Sequence, residues 1–389
     1  MPAPLFPVLA VTFLASIAAG TFWSGIFFVA ARKHGFSSME NLVLAVVMGV
    51  VYAIGAYGTG TLLRWSRNHL GPRGIVRLAL GVLAAASLGP AVFPQSGAVL
   101  RACAILGGGV QAILWPVVES YLTSGRHGPV MRRAIGQFNT SWSSAVPVTL
   151  FAIPLLGVEH IAWAFWLTAI CIAAAMVFTH ALPLTLAAHD DKESSAATGA
   201  DYPELMRAAL WLLPMSYVLS SALGPLLPQR MVELQIASDV ETALAATWLV
   251  VRALFLFGLS RVNFWHGRWN MLVVGPSAML LGIAGVLQSP GVLSLVLSLA
   301  LFGAGMAVIY TAALYYAMTV GHAAVDAGGQ FEGRIGMGYV VGPVVGMTGT
   351  FTGTAWVTSV AASFVVVLAM AQVFRAHRRA RARSYGPGL

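Results

Sequence analysis

Charge is what this 389-residue chain has least of: 9% of its residues are Asp, Glu, Lys or Arg, against 58% hydrophobic and a mean hydropathy of +0.80. Soluble domains carry about a quarter charged residues, so a soluble globular chain is excluded. Cysteine is nearly absent. Cys103 and Cys171 both lie in apolar stretches with no CxxC or Cys/His spacing, which leaves neither a disulfide framework nor a zinc site. Long polar intervals are missing apart from 183–206, so a large extramembrane catalytic or sensory module is excluded. No apolar run holds a His/Asp/Glu cluster, a nucleophile–base spacing or a phosphate-binding glycine loop, and His160 and His180 are isolated. An enzyme is therefore not expected, nor a metal or cofactor. A filter-like re-entrant segment is also lacking, which disfavours a channel. The net charge of +9 sits mostly in short connections and a basic tail, where it sets orientation, so no nucleic-acid partner is expected.

What fills the sequence is apolar runs of helix-spanning length, roughly 20 residues each. They fall near 8–31, 42–63, 75–93, 98–122, 135–157 and 160–182, then near 207–227, 241–261, 270–288, 291–319, 335–354 and 356–374. The pattern predicts an all-α polytopic membrane protein with twelve transmembrane helices in two six-helix pseudo-symmetric bundles. The bundles are 1–182 and 207–374, joined by a cytoplasmic linker at 183–206 and followed by a basic cytoplasmic tail at 375–389. The first run has no basic segment before it and exceeds a signal-peptide core, so it is expected to remain as the first span.

The basic residues orient the chain. With the N-terminus inside, seventeen of the 22 Lys and Arg fall on the inner side: Arg64, Arg67, Arg73, Arg77, Arg126, Arg132, Arg133, Lys192, Arg207, Arg261, Arg268, Arg334 and the tail residues Arg375, Arg378, Arg379, Arg381 and Arg383. Arg32, Lys33 and Arg230 fall outside, and Arg101 and Arg252 lie within spans. The positive-inside rule then puts both termini in the cytoplasm, here of an inner membrane. The tail arginines are expected to meet anionic lipid headgroups.

The halves resemble each other. Gly107, Gly109 and Gly125 match Gly303, Gly305 and Gly321 at an offset of 196, and Gly136-Gln137-Phe138 matches Gly329-Gln330-Phe331 at 193. A six-plus-six repeat around a midplane site is the architecture of secondary transporters. With the polar link after the sixth span and both termini inside, the chain resembles the major facilitator superfamily over essentially its whole length. The local motifs are degenerate. The loop after the second span keeps Gly60, Arg64, Arg67, Gly71 and Arg73 but lacks the acid usual in the family, and Gly258 to Arg268 is a similar remnant. The glycine-proline motif that drug/proton antiporters of the family carry on their fifth helix is replaced by Asn139-Thr140-Ser141-Trp142-Ser143-Ser144-Ala145-Val146-Pro147.

Arg252 is the foremost candidate residue. It sits mid-span in Trp248-Leu-Val-Val-Arg252, where a charge costs about 2.5–3.5 kcal/mol even on lenient insertion scales. Trp248, one turn away, is placed for a cation–π contact. The resemblance implies that the fifth and eighth helices face each other, which makes Asn139, Ser143 and Ser144 candidate partners of Arg252. Glu119 is the candidate for proton coupling, the alternative being a structural pairing with a loop cation such as Arg133. Arg101 is expected to snorkel outward. Glu332 and Asp326, before the eleventh span, are expected to be structural.

The resemblance further implies that helices 1, 4, 7 and 10 line a central cavity. Lining candidates are Thr21, Trp23, Ser24, Gln111, Trp115, Ser216, Tyr217, Ser220, Tyr310, Thr311, Tyr315 and Tyr316. The expected function is a secondary transporter of a small organic solute by alternating access, with protons as the candidate coupling ion, acting as a monomer. A lipophilic-compound exporter and a non-transporting sensor on the same scaffold are the alternatives.

Overall fold

The computed structural model describes residues 2–66, 69–126, 128–156, 162–186, 201–320 and 325–384. Among them there is helix and no strand. The helices are α1 (Leu5–Gly20), α2 (Ile26–His34), α3 (Ser38–Ser66), α4 (Gly71–Val92), α5 (Gly97–Thr123), α6 (Gly128–Ala145), α7 (Val148–Leu156) and α8 (Ala162–Phe178). They continue as α9 (Tyr202–Glu233), α10 (Glu241–Ala245), α11 (Thr247–Leu259), α12 (Met271–Gln288), α13 (Val292–Val320), α14 (Val325–Thr352) and α15 (Ala355–Ser384). Ten helical stretches among the described residues are long and apolar enough to cross a membrane. The polar interval 187–200 lies outside the described residues.

Local chemistry explains the breaks. Ser37 and Glu40 form a reciprocal cap at the start of α3: the Ser37 N–H donates to Glu40 Oε2 at 3.0 Å and the Glu40 N–H to Ser37 Oγ at 3.2 Å. Gly35, in the left-handed region at φ 67°, ends α2. Between α1 and α2 the helix widens into a single π-turn at Thr21–Gly25, a feature frequent at functional sites. Between α6 and α7, Pro147 lacks the N–H needed to continue the helix.

Three elements depart from the sequence reading. The eleventh apolar run was bounded at 335, but α14 starts at Val325, because its Gly-rich polar beginning packs against protein instead of lipid. The seventh extends to Tyr202–Glu233 through Pro214, Pro225 and Pro228. The basic run from Arg375 continues α15, and Arg383 joins Arg207 in pairing with buried Glu204 on α9, at 3.2 and 2.5 Å.

Packing across the sequence midpoint positions the site. α3 runs along α14, α6 against α11 and α2 against α9. The approach of α3 to α14 is close enough that a Cβ on Gly49 would fall 2.5 Å from the carbonyl oxygen of Tyr339. On α13, a Cβ on Gly303 would collide with the Trp248 carbonyl, so glycine there fixes the distance between α13 and the helix that carries Arg252.

Candidate substrate-binding site

These crossings enclose a central cavity between the two halves. Eight of the residues singled out above line it: Trp23, Gln111, Trp115, Glu119, Tyr217, Trp248, Arg252 and Tyr310. Ser24 and Ser220 do so as well.

Arg252 is 4% exposed, and its guanidinium lies against two rings: Cζ is 4.7 Å from the Trp142 centroid and 5.0 Å from that of Trp248. The Trp248 contact is the one anticipated from the one-turn spacing. One edge points at Met306 Sδ, 3.7 Å from the donating nitrogen, and Nε–H has no acceptor. Among the described residues no carboxylate lies within ion-pairing distance of it.

The cavity's acids are paired with each other. Glu119 on α5 and Glu332 on α14 are in side-chain hydrogen-bonding contact across the α5–α14 crossing, and Tyr52 on α3 donates its hydroxyl to Glu332 Oε2. Both carboxyls are about 5% exposed. Glu119 Oε2, Gln111 Oε1 and Ser16 Oγ, all on the cavity wall, have no hydrogen-bond partner. Glu332 therefore has a place at the site that its polar, glycine-rich surroundings concealed, and Arg133 is exposed on another cavity rather than paired with Glu119. Asp326 has no described side chain.

Rings fill the remaining wall. Trp23 stacks on Tyr339 at 3.9 Å and 12°, while Tyr52 and Tyr217 meet Tyr339 edge-on at 5.2 and 5.3 Å. Trp142 meets Tyr310 at 5.1 Å. Trp142, Tyr52, Tyr339 and Glu332 escaped the sequence reading. A signal for Glu332 exists: at the repeat offset of 193, it is the counterpart of Asn139.

Asn139, Ser143 and Tyr315 are corrections, since they do not line this cavity. Asn139 Oδ1 accepts from Trp142 Nε1 at 3.2 Å, so it orients the ring that covers Arg252 and does not reach the guanidinium. The Ser143 hydroxyl donates to the Asn139 carbonyl at 2.5 Å, and Ser144 is exposed. Tyr315 stacks on His266 at 4.3 Å and, with Asn139 and Thr311, borders a second cavity between α6, α11 and α13. Thr21 is held by Thr149 and Thr168 at 3.1 and 2.7 Å, the Ser216 hydroxyl donates to the Leu213 carbonyl, and Tyr316 accepts from the Gly267 N–H. Arg101 lies over Phe36 at 4.3 Å and pairs with Glu40 at 3.2 Å instead of simply reaching outward.

Beyond the central cavity, where α2 meets α10, the chain is tied across its midpoint. Arg32 Nε donates to Glu241 Oε1 at 2.9 Å and its terminal nitrogen to Oε2 at 2.5 Å. Next to it, the Thr242 hydroxyl donates to the Leu150 carbonyl at 2.8 Å. The second cavity lies among α1, α6, α13 and the C-terminal end of α11, beside Leu9, Arg133, Arg261 and His266.

No family model and no curated protein sequence matches the chain. Solved structures do. The nucleoside transporter NupG aligns with a TM-score of 0.66 at 14% identity, over 95% of this chain and 98% of that one. The chain shares the fold of that structure. The D323A mutant of NupG aligns at 0.65 and 15% identity, and the human organic anion transporter MFSD10 (TETRAN) at 0.63 and 14%, each with the same coverage. The solved structures that share this fold are transporters, and ten helical stretches among the described residues are long and apolar enough to cross a membrane.

Proposed function

We propose that this protein is a secondary active transporter of a small organic solute, working by alternating access. Its twelve helices form two six-helix bundles, 1–182 and 207–374, joined by a cytoplasmic linker at 183–206, and a single chain is the working unit. Both termini face the cytoplasm of an inner membrane, where Arg375, Arg378, Arg379 and Arg381 meet anionic lipid. The observation that carries this reading is the central cavity, walled by α1, α5, α9, α11, α13 and α14 and holding a buried guanidinium with an unpaired N–H.

In this orientation the Arg32–Glu241 pair and the Thr242–Leu150 bond close the outer side, and the second cavity opens inward. Transport then requires those bonds to break as the halves rock. Arg252 recognises the polar end of the solute, and Trp248, Gln111, Trp115, Trp23, Tyr217 and Tyr310 contact the rest of it. Glu119, through its contact with Glu332, takes the coupling proton. Three ionisable groups around one buried cavity suit a polar solute better than the purely lipophilic cargo of a drug exporter.

Reconstituted vesicles, screened with a metabolite and drug panel with and without a pH gradient, test the proposal. Saturable uptake of at least one compound, accelerated by an inward proton gradient, is expected. Absence of uptake and of counterflow for every compound would return the chain to the sensor alternative.

A further inference from the structure

We infer that the cavity takes a flat organic monoanion together with one proton, the anion on the edge of Arg252 and the proton on the Glu119–Glu332 pair. This rests on the transporter reading and names its cargo.

Geometry at Arg252 selects the anion. All N–H bonds of a guanidinium lie in its plane. Trp142 and Trp248 pack against the guanidinium, Met306 Sδ is a weak acceptor and Nε–H is unpaired, so the donor left free for a ligand lies in the guanidinium plane. An edge-on approach matches the fork-like fit of a carboxylate or similar planar anion. The ring-lined wall around Trp23, Tyr339 and Tyr217 suits a flat body. At the acid side of the cavity, the unpaired acceptors Glu119 Oε2 and Gln111 Oε1 suit an N–H or O–H carried away from the anion.

Charge accounting supplies the proton. A carboxylate only accepts hydrogen bonds, so two carboxyls in hydrogen-bonding contact must hold at least one proton between them. The groups facing the pair are Tyr52 from α3, Tyr217 from α9, Tyr310 from α13, Tyr339 from α14 and Arg252 from α11. The phenols are neutral near pH 7. With one proton on the pair, its single negative charge balances Arg252. An anion arriving at Arg252 leaves the buried chamber one negative charge in excess, which a second proton on the pair removes. That proton comes from water on the side to which the chamber is open, and no other bond changes. Binding and protonation are then reciprocal: the proton tightens the anion and the anion tightens the proton.

The test uses purified full-length protein in detergent and three aromatic carboxylates, 4-hydroxybenzoate, nicotinate and indole-3-acetate, each beside its neutral amide. Binding is read by tryptophan fluorescence, and proton uptake by an indicator dye in weak buffer. At least one carboxylate is expected to bind at least tenfold more tightly than its amide, with about one proton taken up per anion. Its affinity should fall about tenfold per pH unit towards alkaline pH. The double variant Glu119→Gln/Glu332→Gln leaves no carboxyl to protonate and should lose both the proton uptake and the pH slope, and wild-type slopes carry the test if that variant misfolds. Amides binding as tightly as carboxylates, no carboxylate binding at all, or anion binding without proton uptake would each overturn the inference. Transport of a neutral or cationic solute without carboxylate binding sinks it while sparing the transporter reading; carboxylate binding without transport in vesicles does the reverse.

Discussion

Arg32 and Arg252 are both helical arginines, and their surroundings treat the same charge in opposite ways. Arg32 is held by both oxygens of Glu241, which is itself 3% exposed, and the pair joins α2 to α10. Arg252 is more deeply buried yet receives two tryptophan faces and a thioether in place of a carboxylate. A matched charge is a fastening; an unmatched one in the central cavity is the proposed binding group. The acids divide likewise: Glu241 is committed to an arginine, whereas Glu119 and Glu332 are committed to each other.

Breaking the unmatched member should have the larger effect. Arg252→Ala is expected to weaken cargo binding about hundredfold or more, on the scale of roughly 3 kcal/mol for truncating one side of a buried charged contact, and to abolish uptake while membrane insertion stays normal. Equal uptake by correctly inserted variant and wild type would contradict the assignment. Glu119→Gln combined with Glu332→Gln should be next: gradient-driven accumulation falls to the equilibrium level while exchange of cargo across the membrane persists, as measured by counterflow.

The matched pair should respond in a different way. Glu241→Gln leaves Arg32, which is 28% exposed, able to turn to water, so the loss is about 1–3 kcal/mol of closed-state stability, below that of a fully buried pair. The readout is faster thiol labelling of a cysteine introduced at Ser24, applied from the outer side. Unchanged labelling would mean that the pair does not fasten the closed form. Gly303→Ala tests the packing behind Arg252, and its clash with the Trp248 carbonyl should cost about 1–3 kcal/mol, seen as a lower Tm. The smallest effect is expected from Trp142→Phe, which keeps a ring over the guanidinium and should weaken binding only a few-fold.

The contrast was partly legible in the sequence. Apolar run length located most helices, because lipid-facing segments must be continuously apolar, and the cost of a mid-span charge singled out Arg252. The start of α14 was not legible, since Gly329, Glu332 and Gly333 pack against α3 and the cavity and so need no lipid-compatible side chains. Glu332 consequently looked like a loop acid. Asn139 was misplaced for a related reason: a helix address fixes depth, but the side chain's turn around the axis decides between two cavities, and one turn of α6 separates Asn139 from Trp142. The pairing of Arg32 with Glu241 spans 209 residues, and only the folded crossing of α2 and α10 brings it about.

Uptake of whichever aromatic carboxylate binds most tightly, into vesicles with an acidic exterior and the membrane potential clamped by potassium and valinomycin, tests the central claim most directly. The account predicts accumulation that follows the pH gradient and is the same at either sign of the clamped potential. Accumulation that follows the potential and ignores the pH gradient would contradict it.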